Sequence, residues 1–189
     1  MNEATSIIIP VLNEEKNILK LVRKIKSFLT GYKYEIIFID DNSNDNSQII
    51  LNNLRKNNKN LSYYIRKKNK DLSQSCIYGF EKSKYKNILV MDGDLQHPPE
   101  YIKFLVKKFL KNQVDIVVGS RNLLVKKSPG LGLFRYLSSI SIIYFINIFL
   151  ENKTTDPLSG FFIFKKKIYT NNMNNLYLKG YKILADLIY

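Results

Sequence analysis

Residues Asn87 to Glu100 read NILVMDGDLQHPPE, and this stretch decides what kind of sheet the chain builds. Asn87–Val90 is a short, nearly continuous apolar run, the pattern of a strand covered on both faces. Two carboxylates, Asp92 and Asp94, an amide, Gln96, and a histidine, His97, follow at once. Residues two apart on an extended backbone project to the same side, so a chain that stayed extended would aim both carboxylates together. In an open α/β sheet, ligands gather where such strands end. Oxygen donors without paired Cys or His suit a hard cation, Mg²⁺ or Mn²⁺, which takes one or two carboxylates and completes its shell with substrate phosphates. A phosphorylated ligand is the expectation. A solvated acidic turn, before a helix opened by Pro98, Pro99 and Glu100, would be written in the same letters.

Working outward toward the N-terminus, Thr5–Ile9 is an apolar strand ended by Pro10. Asn13 is placed to cap a helix in which Ile18, Leu21, Val22, Ile25 and Leu29 recur at helical spacing, and Gly31 closes it. Tyr34–Ile39 is a second strand that stops at Asp40 and Asp41. Ser43 or Asp45 caps the next helix, with Ile49, Ile50 and Leu54 on its apolar face. A third strand, Leu61–Ile65, leads through a basic turn to a helix from about Leu72 to Lys84. Beyond the central stretch, a helix over Pro98–Lys111 precedes the strand Val114–Val118, which ends in Gly119, Ser120 and Arg121. A strand at Phe161–Phe164 follows the turn Asp156–Gly160, and a helix begins near Lys182 and is still running at Tyr189, so the natural domain is expected to continue. This alternation predicts an α/β fold with a mostly parallel sheet covered on both faces. No linker or repeat interrupts it, and residues 1–189 are expected to form one domain.

Thirty Lys and Arg against 16 Asp and Glu leave a net charge of +14, which favours an anionic partner. The basic residues are dispersed over Lys20–Lys26, Arg55–Lys59, Arg66–Lys70, Lys103–Lys111 and Lys165–Lys167. That dispersal speaks against one nucleic-acid groove and is compatible with a membrane surface. Tyr136–Leu150 carries no charge. It is shorter than the roughly 20 residues that span a bilayer, which leaves a buried helix or one lying at a membrane interface. The single cysteine, Cys76, excludes an intramolecular disulfide, and no signal region precedes the first strand, so an intracellular chain is expected.

The ordered set IIPVLNEE, IIFIDDNSNDNS, DLSQSCIYGF, MDGDLQHPPE, VVGSR, RYLSS, DPLSGFF and GYKILADL covers nearly the whole chain. It resembles the catalytic domain of the dolichyl- or polyprenyl-phosphate mannosyltransferases, family 2 glycosyltransferases of GT-A fold. The resemblance implies a Rossmann-like three-layer sandwich with the apolar helix as an interface element at the cytoplasmic face of a membrane. It implies a nucleotide pocket lined by Pro10, Leu12 and Glu14, with Ile39 and Asp41 reading the base and Asp92, Gly93 and Asp94 under the ribose and diphosphate. Asp94 and Gln96, with Asp92 beside them, would hold the metal. Arg121 and Arg135 would grip the acceptor phosphate with help from Ser139, Arg121 also bordering the nucleotide sugar. Permanently charged guanidinium forks suit that task. A lipid phosphate, with a second pKa of about 6, arrives largely as a dianion and needs no protein base to attack. The implied reaction is therefore one in-line displacement with inversion, from GDP-mannose to a polyprenyl or dolichyl phosphate, with no nucleic acid involved.

Plainer roles exist for several of these residues. Asp41 would serve as a turn aspartate, Glu14 as a first-turn glutamate favoured by the helix dipole, Arg121 as an ion-pair partner, and His97 as a structural residue before Pro98. The chain also departs from the family's pattern. Leu12 stands where tyrosine is usual, Gly93 where alanine is, Asp71 where glycine is common and Asp186 where glutamate is usual; the family's later basic segment is absent. Two other functions fit the same letters: a UDP-sugar-dependent polyprenyl-phosphate transferase of glucose or an aminosugar, and a non-catalytic nucleotide-sugar-binding protein. A processive polysaccharide synthase is disfavoured, since its later Q-x-x-R-W has no counterpart in a chain without tryptophan.

Overall fold

Strand β1 (Thr5–Val11) shows how the layers arise, because its alternate side chains feed two different cores. Ile7, Ile9 and Val11 pack with Ile18, Leu21, Val22 and Ile25 of helix α1 (Glu15–Phe28) and with Leu105, Val106 and Phe109 of helix α4 (Ile102–Asn112). Ile8 points the other way, to Cys76, Ile77 and Phe80 of helix α3 (Leu72–Lys82) and Leu184 of the last helix. Full burial of each such side chain stabilises the fold by about 1.5–3 kcal/mol. A strand with apolar side chains on both faces therefore belongs in the middle of a sheet.

The computed structural model describes residues 4–120, 154, 156–177 and 179–188. The remaining elements are β2 (Tyr34–Asp40), α2 (Ser47–Lys56), β3 (Leu61–Ile65), β4 (Asn87–Val90), a 3₁₀ turn Pro99–Tyr101 that runs into α4, β5 (Ile116–Val118), β6 (Phe162–Lys165), α5 (Lys166–Asn172) and α6 (Ile183–Ile188). The six strands lie in the order β3-β2-β1-β4-β6-β5. All pairings among β1 to β4 are parallel, while β6 runs antiparallel to both β4 and β5. The chain winds outward from β1 to β3 and then crosses to the other side of β1 for β4. The crevice between the carboxyl ends of β1 and β4 is thus the switch point of the sheet, where ligands bind in open α/β folds.

Pro10 does not end β1; it pairs with Ile39 inside the strand. The reason is which way its backbone faces. Ile8 O accepts from Met91 N on the β4 side, whereas Val11 O accepts from Asp41 N on the β2 side. Even-numbered residues therefore turn to β4, whose pairing stops at Ile8–Val90, so no partner misses the proline N–H. Helix α5 has no counterpart in the sequence reading, because KKKIYTNN has basic residues and no apolar period to mark it. Among the described residues, no helix is long and apolar enough to cross a membrane. The apolar stretch Tyr136–Leu150 lies outside them.

Candidate functional site

At the carboxyl edge of the sheet, the loops after β1, β2 and β4 each contain a residue with positive φ: Asn13 (59°), Asn42 (60°) and Leu95 (64°). Asparagine tolerates this conformation; leucine does not, at a cost of about 1 kcal/mol or more. The first two loops clip to each other. Asn13 is not the cap of α1. Its Oδ1 accepts from Asn44 N, and the free amides at the start of α1 are met from the opposite loop, with Asn13 N donating to Ser43 Oγ, Glu14 N to Ser47 Oγ and Glu15 N to Asp45 Oδ2 at 2.8–3.0 Å. Glu15 Oε2 in turn accepts from Asn46 N and Nδ2. Asp45 Oδ1 accepts from Ser47 N, so one carboxylate caps α2 and serves α1. Burial acts against its ionised form, but the hydrogen bonds from Ser47 and Glu15 outweigh it and hold the carboxyl below the usual range.

The acidic stretch does not stay extended. Strand β4 stops at Val90 and the chain turns at Gly93–Asp94. Asp94 Oδ1 accepts from Gln96 N at 2.9 Å, which folds Gln96 back beside it. Asp92 lies against the DPLSG loop instead: a methyl group on Gly160 would sit 2.2 Å from Asp92 Oδ2. The same carboxylate oxygen faces His97 Nδ1 at 3.4 Å. His97 is buried, stacked on Phe161 with ring centroids 5.3 Å apart, and its Nδ1 has no hydrogen-bond partner. Gly93 is pressed onto β1, where a methyl would meet Val11 Cγ1 at 2.7 Å, Pro10 O at 3.4 Å and Glu14 Cγ at 3.6 Å. Pro10, Glu14, Asp92, Gly93, Asp94 and Gln96 are therefore gathered at the switch point.

Leu12 is partly exposed beside this group, while Ile39 is fully buried in the core on the α3 side, so its side chain is committed to packing. Asp41 is buried in an ion pair with Arg66, 2.6 Å apart, and its Oδ2 accepts from Asp71 N at 2.8 Å. Arg66 is itself anchored by Ser75 Oγ, Asn69 O and Asp71 O. Sequence reasoning marks neither Arg66 nor Asp71 as a site residue. Arg66 is hidden in a basic run that reads as surface charge. Asp71 caps α3 by accepting from Gln74 N, and its other oxygen accepts from Gly180 N, 109 residues away. The DPLSG loop is held by Ser159, whose hydroxyl donates to Gly119 O at 2.7 Å. Arg121, Arg135 and Ser139 lie outside the described residues.

The candidate metal donors Asp92, Asp94 and Gln96 offer only oxygens, two carboxylates and one amide, the last exposed, while the His97 ring is buried against Phe161. Among the described residues no three His, Cys, Asp or Glu side chains form a closed cage. An open, oxygen-only, incomplete set fits a hard cation that draws the rest of its shell from a ligand's phosphates, and does not fit a resident structural metal.

The sheet order, the switch point and the acidic turn define an α/β fold of the GT-A type. Structures of glucosyl-3-phosphoglycerate synthase from Mycobacterium tuberculosis share it, at 18% identity over 98% of this chain and 64% of theirs. The TM-score is 0.75 for the complex with phosphoglyceric acid and 0.72 for the complex with Mn²⁺, UDP-glucose and phosphoglyceric acid. The family model for glycosyl transferase family 2 matches residues 6–172, and the chain belongs to that family. It is 35% identical over 186 residues to a dolichol-phosphate mannosyltransferase of Pyrococcus furiosus, and spans 51% of that protein's length. It is 30% identical to the dolichol-phosphate mannosyltransferase of Saccharomyces cerevisiae, covering 97% of this chain and 69% of the yeast protein. An undecaprenyl-phosphate 4-deoxy-4-formamido-L-arabinose transferase of Pseudomonas fluorescens matches at 34% identity over 120 residues, 62% of this chain and 35% of that one.

Proposed function

We propose that the protein transfers a sugar, mannose from GDP-mannose by preference, to a polyprenyl or dolichyl-type phosphate at the cytoplasmic face of a membrane. The observation that carries this reading is the turn Asp92–Gly93–Asp94 seated at the β1/β4 switch point against Pro10 and Glu14, in a chain whose relatives act on dolichol phosphate by name. Carboxylates and a diphosphate repel each other, so such a turn receives a nucleotide only through a cation. A Mg²⁺ or Mn²⁺ ion held by Asp94 and Gln96, with Asp92 beside them, would neutralise the charge that grows on the departing nucleoside diphosphate. Pro10, Leu12 and Glu14 border the nucleoside, with Asp41 fixed by Arg66 at the base end and Ile39 packed behind it.

Arg121 and Arg135, with Ser139, are assigned to the acceptor phosphate on the strength of the VVGSR and RYLSS motifs. They aim a dianion that is already a nucleophile, so the chain supplies positioning and charge, not a base. His97 is buried, stacked on Phe161 and set against Asp92. Attack from the face opposite the nucleotide inverts the anomeric carbon. The Tyr136–Leu150 stretch would rest on the membrane that holds the acceptor.

Calorimetric titration of the chain with GDP-mannose and with UDP-glucose, each with and without Mn²⁺, tests the reading. Metal-dependent binding that favours GDP-mannose is expected. Tighter UDP-glucose binding would transfer the proposal to the UDP-sugar branch, which Leu12 in place of the usual tyrosine leaves open. Loss of transfer in Asp94→Ala is expected as well; unchanged product would remove the metal from the mechanism.

A further inference from the structure

Asp71 joins two regions that lie far apart along the chain. Its backbone N–H donates to Asp41 Oδ2, at the base end of the nucleotide pocket. Its Oδ1 caps α3 through Gln74 N. Its Oδ2 accepts from Gly180 N at 2.8 Å, while Ser73 N donates to Gly180 O at 2.9 Å. The chain at residue 180 is thereby strapped to the first turn of α3 by a pair of hydrogen bonds, one in each direction. Gly180 has φ +82°, a conformation that side chains resist, so the strap is made at a place where the backbone turns sharply.

The residues just after the strap border a cavity. Tyr181, Lys182, Ile183 and Leu184 line a space of about 290 Å³ together with Asp92, Ser159 and Gly160. The floor is apolar, from Leu72, Cys76, Val90 and Phe162. Burial pushes the Cys76 thiol up and leaves it an inert part of that floor. A carboxylate, an ammonium and a phenol around apolar side chains make a space suited to a pyranose ring, whose hydroxyls need polar partners and whose C–H faces prefer apolar or aromatic ones. Asp92, beside which the diphosphate and the anomeric carbon would lie, belongs to its lining.

We infer that Asp71 is a positioning residue for the donor's sugar, holding Gly180 so that Tyr181 and Lys182 line this cavity together with Asp92 and make it the sugar's subsite. The inference rests on the glycosyl-transfer reading. A glycine at position 71 would offer no carboxylate to Gly180.

The variant Asp71→Asn isolates the contact. Asparagine keeps an oxygen for the cap and leaves the backbone N–H to Asp41 untouched, but turns its amide against Gly180 N–H, where donor meets donor. Asp71→Ser serves as a second variant, since its single oxygen holds the cap and leaves Gly180 unmet. Hydrogen exchange at Gly180 and Ser73, and the affinities for GDP-mannose and for GDP in the presence of Mn²⁺, are measured on the full chain. Faster exchange at both amides is expected in each variant. A loss of about tenfold in GDP-mannose affinity should accompany it, with GDP affinity unchanged within about twofold, as one charged hydrogen bond implies. Equal losses for GDP and GDP-mannose would place the effect at Asp41 and overturn the inference, as would unchanged affinities despite faster exchange. A wild-type chain that binds neither ligand would sink the transfer reading itself and the inference with it, whatever the exchange shows.

Discussion

Gly160 and Arg66 show how much of the site rests on residues that hold others in place. Gly160 leaves no room for a side chain because the Asp92 carboxylate occupies that space, at 2.2 and 2.5 Å from where a methyl would be. Gly160→Ala therefore displaces Asp92, and a misplacement of about 1 Å at a reacting centre costs on the order of a hundredfold in rate. Transfer assays should show that loss while the melting temperature changes little; full activity would mean that Asp92 tolerates displacement. Arg66 is the counter-charge of a buried carboxylate. Removing it in Arg66→Ala strands Asp41 and should cost about 3–5 kcal/mol in urea unfolding. A loss under about 1 kcal/mol would show that Asp41 is neutralised by other means. The acidic turn stood out in the sequence as two carboxylates and an amide directly after a buried strand, though a solvated turn would carry the same letters. What each carboxylate touches was not legible: Asp92 meets Gly160 and His97, while Asp94 accepts from Gln96 N. Arg66 and Asp71 stayed hidden for a different reason, since their partners lie 25 and 109 residues away, at Asp41 and Gly180.

Helices α1 and α2 are fastened at their N-termini by a shared loop-to-loop network and not by separate caps. The expected cap Asn13 instead takes a left-handed turn and accepts from Asn44, and the duty passes to Ser43, Asp45 and Ser47. Local rules of spacing offer Asp45 for α2 but cannot foresee the cross-connections, in which Ser43, Asp45 and Ser47 serve α1 and Glu15 serves the start of α2. Asp45 is central because its two oxygens serve two helices. Asp45→Asn keeps one of these bonds and should lose about 1 kcal/mol at neutral pH. The carboxyl's folded pKa is depressed, so its contribution is present above the ordinary carboxylate range and disappears as pH falls through the lower folded value. The gap between wild type and variant in denaturation midpoints should therefore close in acid; a gap that stays constant with pH would assign the loss to shape alone. The strands were the most legible elements. Pro10 was the exception, readable as a stop until the ladder shows its missing N–H on the side with no partner.

For the whole molecule, the two-sided burial of β1, β2 and β4 was written in their continuous apolar runs, and with it the three-layer plan. The antiparallel β6 between β4 and β5 was not, since nothing in Phe162–Lys165 distinguishes direction. The net charge of +14 has no focus in the sequence and is expected to act at long range. Co-sedimentation with vesicles containing anionic lipid should be strong at low salt and fall steeply as salt is raised. Binding indifferent to salt would point to apolar insertion as the main attraction, and no binding at all would remove the membrane surface from the proposal.

The proposed chemistry depends on one arrangement, a cation shared between the turn after β4 and a nucleotide's diphosphate at the β1/β4 crevice. The most direct test is a crystal structure with GDP-mannose and Mn²⁺, in which anomalous scattering locates the metal. The expected peak touches Asp94 and Gln96, with Asp92 beside it and both phosphates on its far side. A nucleotide bound with no metal at that turn, or a manganese peak held elsewhere on the chain, would contradict it.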